Sequence, residues 1–254
     1  MKFKVIIPAR YDSTRLPGKP LLDLGGKPLI QRVYERARES RAESSAIATD
    51  HVYIETAARK FGAPVYMTKP THASGTERIA EVVQREGYAD DDIIVNLQGD
   101  EPLMPARAIR QVAELLATNP AASMATLCER ITAVQDVFDA AVVKVVVDAQ
   151  GRALYFSRAP IPWDRGHFEG DVTVNWSLSQ TYYRHIGIYA YRVDFLKHYA
   201  ALPPCEMEQT ENLEQLRALY HGAHIAIAEA VEPTGFGVDT PADLERLRRM
   251  LNSA

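Results

Sequence analysis

Three cations stand within ten residues near the start of the chain: Arg10, Arg15 and Lys19, in the run PARYDSTRLPGKPL from Pro8 to Leu21. Pro17 and Pro20 remove backbone donors and fix φ, so the run cannot continue as a regular helix or strand. It follows the apolar Val5-Ile6-Ile7, and open α/β sheets bind their ligands where a strand's carboxyl end meets such a loop. A stiff cationic loop at that place suits a polyanion such as a nucleoside triphosphate. Ser13 and Gly18 suit close backbone approach to phosphate oxygens. Arg15 offers a planar fork to two oxygens, and Lys19 a compact charge for a departing phosphate. The plain alternative is a solvated basic loop.

Acids form the second constellation. Asp100, in NLQGDEP, follows the apolar run Ile93–Val95, and Asp239, in GVDT, precedes a helix start. Either acid taken singly is as readily a turn residue. Taken together they match Mg²⁺, which accepts one or two carboxylates and leaves its other positions to phosphate and water. A third group lies in the second half: Arg158 in YFSRAPIPWDR, then His185 and Tyr189 in RHIGIYAYR. On strands they could recognise an acidic polyhydroxyl ligand, though a histidine in an apolar run is more often a satisfied structural one. Glu211, Glu214 and Gln215 fall at helical spacing opposite Leu213, Leu216 and Tyr220, a pattern shared by solvated helix faces. Other phosphate-binding signatures are missing. Gly25-Gly26-Lys27-Pro28 lacks the P-loop spacing, and Gly235 with Gly237 lacks the third glycine of a dinucleotide fingerprint.

These residues need elements to hold them. Val5–Ile7, Ala46–Thr49, Val65–Met67 and Ile93–Asn96 read as strands, and Leu29–Ser40, Ile54–Phe61 and Glu77–Glu86 as helices between them. That alternation predicts an α/β fold, a mostly parallel Rossmann-like sheet with helices on both faces. Ser74 with Glu77 reads as a capping box, and Thr240-Pro241 with Asp243 as the start of a last helix whose buried face carries Leu244, Leu247 and Leu251. In the second half Val142–Val147, Leu154–Ser157 and His185–Tyr191 read as further, partly antiparallel strands. The irregular stretch Arg158–Gln180 between them reads as an excursion over the cleft or a dimer contact. With 254 residues and no linker or repeat, one domain is expected.

Bulk composition narrows the classes. A net charge of −4 argues against a general nucleic-acid binder and makes the Arg10/Arg15/Lys19 cluster a local feature. No apolar stretch is long enough to span a bilayer, so no membrane insertion is expected. Cys128 and Cys205 lack paired spacing and read as reduced thiols, and no secretory leader is visible, which together predict a cytoplasmic protein.

From the first strand to the last helix the chain resembles the CMP-Kdo synthetases, the 3-deoxy-manno-octulosonate cytidylyltransferases of lipopolysaccharide assembly. The carriers are IPARYDSTRLPGKPL, ATDH at Ala48–His51, SGTERIAEV at Ser74–Val82 and VNLQGDEP at Val95–Pro102, then VKVV, ALYFSRAPIPWDR, RHIGIYAYR, LEQLRAL and GVDTPADLER. The first motif and the QGDEP acid are shared among sugar nucleotidyltransferases, whereas FSRAPIPWDR and LEQLR belong to the Kdo branch. The resemblance implies that Arg10, Ser13, Arg15, Lys19, Ser74 and Gly75 bind CTP, with Lys19 and Arg15 stabilising the departing pyrophosphate. It implies that Asp100 and Asp239 hold Mg²⁺, and that Arg78, Gln98, Arg158, His185, Tyr189, Glu214 and Gln215 form the Kdo pocket.

It also implies a homodimer, with part of the contact from Arg158–Tyr191. About 1–130 and 225–254 would then serve the nucleotide, and about 140–220 the sugar and the dimer. The chain departs from the pattern at Ala140-Ala141, where relatives often carry Pro-Asn, and at Thr234–Gly237, which replaces a Pro-Gly-Thr-Gly-like turn. Alternatives of other kinds are a cytidylyltransferase for 8-amino-Kdo or sialic acid, and a non-catalytic nucleotide or sugar sensor on the same fold.

Overall fold

A computed structural model describes residues 1–12, 16–168 and 178–252. Strand parity explains its layers. In β1 (Lys4–Ala9), Val5 and Ile7 enter one core and Ile6 the other; in β4 (Ile93–Asn96), Ile93 and Val95 divide from Ile94 in the same way. Successive side chains of a strand point to opposite faces, so strands apolar at every position must be covered on both. Helices α1 (Leu29–Glu39), α2 (Val52–Lys60) and α4 (Ala106–Thr118) share the first core, and α3 (Gly75–Glu86), α6 (Val193–Tyr199) and α8 (Gln215–Tyr220) the second. The expected α/β class is present.

Strands β1, β2 (Ser44–Thr49), β3 (Val65–Met67) and β4 form a parallel half, in the order β3-β2-β1-β4. The sheet then continues through β8 (Tyr183–Arg192), antiparallel to β4, to β5 (Met124–Arg130) and β9 (Ile225–Glu229). The hairpin of β6 (Lys144–Val147) and β7 (Ala153–Ser157) joins through β6 to β8, so the antiparallel portion is an annex of the same sheet. The chain leaves β1 for β2 on one side and returns with β4 on the other. That reversal opens a crevice at the carboxyl ends of β1 and β4.

Two helices begin two residues earlier than expected, the first from a cap at His51 and the second directly after the expected cap Ser74. His51 accepts from the Tyr53 amide at 3.2 Å, and Ser74 from the Glu77 amide at 3.2 Å. Glu77 completes its return bond to the Ala73 amide at 2.9 Å, one residue outside the usual capping box. At α9 (Pro241–Asn252) Thr240 and Asp243 exchange bonds, the Thr240 amide donating at 2.8 Å and the Asp243 amide at 3.2 Å. Short helices α5 (Val134–Phe138) and α7 (Glu206–Glu211) complete the elements. Of the stretch Arg158–Gln180, positions 169–177 lie outside the described residues. Phe168 beside them packs with Ile131, Val137 and Tyr182 in a satellite core.

A separate cluster ties the two ends of the chain together. Leu16, Leu24 and Leu29 meet Val238, Leu244 and Leu247. Leu247 is 1% exposed, so Leu247→Ala should lower the unfolding free energy by about 2–5 kcal/mol in urea titrations, through lost burial plus a cavity. Val238 of the same cluster adjoins Asp239 in the chain.

Candidate active site

The crevice is a cleft of about 500 Å³. Arg10, Lys19 and the NLQGDEP residues Gln98 and Asp100 line it from the loops after β1 and β4, and Ser74, Gly75 and Arg78 from the start of α3. Glu214 and Asp239 complete the set of expected residues found there. Ser13 and Arg15 lie outside the described residues. The walls meet this closely because of a glycine. A Cβ on Gly99 would sit 2.8 Å from the Pro8 carbonyl oxygen, nearer than any side chain tolerates.

At one end Lys19 joins the two acids. Gly18 turns the chain at φ 66°, which starts the 3-10 turn Lys19–Leu21. The Lys19 Nζ then donates to Asp100 Oδ2 at 2.7 Å and to Asp239 Oδ1 at 3.2 Å. The Val238 amide donates to the Asp100 carbonyl at 2.9 Å, so backbone as well as side chain holds the pair. Glu101, which sequence reasoning passed over, stands behind them. Burial and the neighbouring Asp100 and Asp239 charges push its carboxyl up to about 8. Three carboxyl groups in one place call for positive charge, and Lys19 supplies it.

At the other end Ser74, the cap of α3, donates from Oγ to Glu214 Oε1 at 2.9 Å. Burial raises the Glu214 carboxyl above its ordinary value. Gln98 and Glu214 also line a side chamber of about 20 Å³, room for one water-sized polar group. Tyr189 and Gln215 face it, as does Asn96, which sequence reasoning did not single out. Tyr189 Oη, Gln215 Nε2 and Asn96 Oδ1 are buried without a hydrogen-bond partner among the described residues. Such groups are costly unless something polar enters.

The expected helical stripe of Glu211, Glu214 and Gln215 does not exist as one face. Asn212 adopts a left-handed conformation at φ 51° and separates α7 from α8, which buries Gln215 beside Leu216. The periodicity was real, but the chain turns inside it.

Three expected residues act differently from the rest. Arg78 reaches the cleft, yet its guanidinium is drawn back to Asp50 at 2.8 Å and is almost wholly buried. Arg158 is outside the cleft lining. It donates to the carbonyls of Glu211 at 2.7 Å and Ala140 at 2.9 Å, fastening the end of α7 to the β7 edge. His185 shares a hydrogen bond with Thr126 Oγ1 at 3.1 Å, and its ring lies 5.0 Å from Phe156 and 5.3 Å from Tyr189, bracing the tyrosine. Sequence reasoning also missed Arg217 and Glu208, a two-pronged pair at 2.8 and 2.6 Å that lines the cleft. Arg217 appeared only inside the LEQLR motif, with no sign of its partner.

A cytidylyltransferase family profile matches residues 4–225. The 3-deoxy-manno-octulosonate cytidylyltransferase of Thioalkalivibrio sulfidiphilus is 56% identical over 253 residues, covering 100% of both chains. That of Nitrosococcus oceani is 54% identical over 99% of this chain and 97% of its own. The chain belongs to the 3-deoxy-manno-octulosonate cytidylyltransferase family. A solved CMP:2-keto-3-deoxy-manno-octonic acid synthetase, complexed with CTP, superposes on this family member with a TM-score of 0.89 and 44% identity, covering 100% of this chain and 99% of that one. The 4-diphosphocytidyl-2C-methyl-D-erythritol synthase, at 13% identity and a TM-score of 0.63, shares the fold alone with this 3-deoxy-manno-octulosonate cytidylyltransferase family chain.

Burial lowers the His185 pKa to about 3, so the ring stays neutral in the folded protein across the working range. As pH falls from the ordinary value near 6.5 towards 3, the unfolded chain takes up a proton that the folded one refuses, and stability drops across that window. Urea titrations at pH 7.5 and 4.5 should show a smaller acid loss in His185→Gln than in the parent. An equal loss would remove His185 as a contributor.

Proposed function

We infer that the cleft joins CTP to the anomeric hydroxyl of Kdo, releasing pyrophosphate and CMP-Kdo. The observation that carries this reading is the arrangement of the cleft and the side chamber that shares Gln98 and Glu214 with it. A cation between two acids stands at one end, and buried unpaired polar groups around Glu214 at the other. Family membership and the CTP-bound relative support it. A triphosphate suits the first end and a polyhydroxyl acid the second.

The sugar hydroxyl attacks the α-phosphorus in line; a new P–O bond forms there as the bond to pyrophosphate breaks. Most of the acceleration in such a transfer comes from positioning and charge stabilisation. Arg10, exposed just after β1, orients the phosphates, a task the resemblance also gives to Ser13 and Arg15. Ser74 and Gly75 take the nucleoside side. Lys19 stabilises the charge that develops on the leaving pyrophosphate. Gln98, Tyr189, Glu214 and Gln215 hold the sugar, Arg78 backs the pocket, and Arg158 and His185 fix the walls on which it depends.

Mg²⁺ fits Asp100 and Asp239. Both are oxygen donors, and their carboxylates already converge on one positive charge, the Lys19 ammonium. Bound there, the ion would supply charge neutralisation at the phosphate and acidify the attacking hydroxyl. One domain is proposed, divided as the resemblance implies, and a homodimer with it. Trp163, 57% exposed and packed on Phe168 at 5.4 Å, supports a partner near that stretch. Buried, unpaired Cys128 and Cys205 support a cytoplasmic setting. Among the described residues no helix is long and apolar enough to cross a membrane.

Pyrophosphate release from CTP and Mg²⁺ should be fast with Kdo and slow with 8-amino-Kdo or sialic acid. Binding of CTP with no release from any sugar would replace the transferase by a sensor. Asp100→Ala and Asp239→Ala should each lower kcat by about two orders of magnitude or more with the thermal melt retained, the scale of losing one transition-state charge contact. Parent-like rates in either variant at saturating Mg²⁺ would remove the metal assignment.

A further inference from the structure

We propose that the Glu129–Arg184 ion pair is a positioning device: it grips the Thr234–Gly235 turn, keeps Asp239 beside Asp100, and thereby sets the affinity of those two carboxylates for a divalent cation. This rests on the assignment of Asp100 and Asp239 as cation ligands.

Glu129 and Arg184 oppose each other directly across β5 and β8. Arg184 donates from Nε and Nη2 to Glu129 Oε2 at 3.0 and 2.6 Å. A partly exposed cross-strand pair of this kind contributes modestly to stability by itself. Here, however, the second carboxylate oxygen has separate work. Glu129 Oε1 accepts from the Thr234 amide at 2.7 Å and from the Thr234 hydroxyl at 2.8 Å, and Thr234 is 2% exposed. Burial would raise the Glu129 carboxyl, but the Thr234 bonds together with the Arg184 guanidinium hold it below its ordinary value.

From Thr234 to Asp239 the chain has no slack. Gly235 stands at φ 73°, and a Cβ there would lie 2.7 Å from Leu103 Cβ, in the segment after Asp100. A Cβ on Gly237 would lie 2.9 Å from Glu101 Oε1, and the next residue, Val238, bonds to the Asp100 carbonyl. Phe236 is covered by the Arg246 guanidinium of α9, 4.2 Å from its ring centroid. The turn is therefore pressed against the Asp100 loop along its length and anchored at its start by Glu129. Loosening the anchor frees the segment that carries Asp239. A built-in comparison stands alongside: Arg130 and Glu229, paired at 3.1 Å across the neighbouring strands, are more exposed, and no bond runs from their carboxylate to the turn among the described residues.

The test is Mn²⁺ alone titrated into the nucleotide-free full chain, read by water-proton relaxation, beside the half-saturating Mg²⁺ in the transfer assay. Groups that orient a metal's ligands typically govern affinity by about 10–100-fold. Glu129→Gln should weaken Mn²⁺ binding about tenfold, and Thr234→Val, which loses the hydroxyl bond alone, several-fold. Glu229→Gln should match the parent. Excess Mg²⁺ should restore kcat in Glu129→Gln with the KM for the sugar unchanged, which a loosened fold would not permit. If Glu129→Gln melts early, Thr234→Val decides. Parent-like Mn²⁺ affinity in both, with Asp239→Asn weakened, overturns the clamp and leaves the metal assignment standing. Parent-like affinity in Asp239→Asn as well overturns both.

Discussion

Two carboxylates that repel one another must be held side by side, and the rest of the molecule is arranged around that demand. Asp100 comes from the loop after β4 and Asp239 from the turn before α9, with Glu101 behind them. Lys19, 81 residues from one and 220 from the other, places its ammonium between them. One cation does not balance three acids, and the rise of Glu101 towards neutrality relieves part of the excess. The remaining cost is offset by apolar burial nearby. Leu16, Leu24 and Leu29 close over Val238, Leu244 and Leu247, so the segments that bear charge are joined by segments that bear none.

The opposite end of the cleft meets the reverse problem. The tension there is unmet hydrogen bonding by buried groups of the side chamber, Tyr189, Gln215 and Asn96. A ligand hydroxyl that enters the chamber relieves this, since it both donates and accepts. One cleft therefore selects for charge at one end and for hydrogen-bonding capacity at the other. A sugar acid awaiting a nucleotide phosphate presents both.

Much of the first half was legible because its signals are local. Apolar runs ended by loop residues located β1 to β4, and the cations and acids fell at strand ends where short-range rules apply. Strands β5 and β9 escaped notice because MATLCER and IAIAE mix alanine and polar residues, and their strand character comes from burial between neighbours. Arginines were the hardest residues to assign. Arg78, Arg158, Arg184 and Arg217 look alike in a sequence. Their roles follow from partners far away: Asp50, the Glu211 carbonyl, Glu129 and Glu208. The stripe around Glu214 failed for a different reason, since nothing in its spacing announces the left-handed turn at Asn212.

The joining of the first loop to the last helix has a consequence for synthesis. A ribosome releases Leu16, Leu24 and Lys19 early and Val238, Leu244 and Leu247 much later. Until then the apolar side of the first loop has no cover, and the ammonium has no second acid. Domains begin to fold while they are still being made, and the parallel strands β1 to β4 can pair in that interval. A nascent chain of this kind can pair its strands well before Lys19 meets its second acid, and a product that stopped after β9 would carry all nine described strands and lack the Asp239 carboxylate.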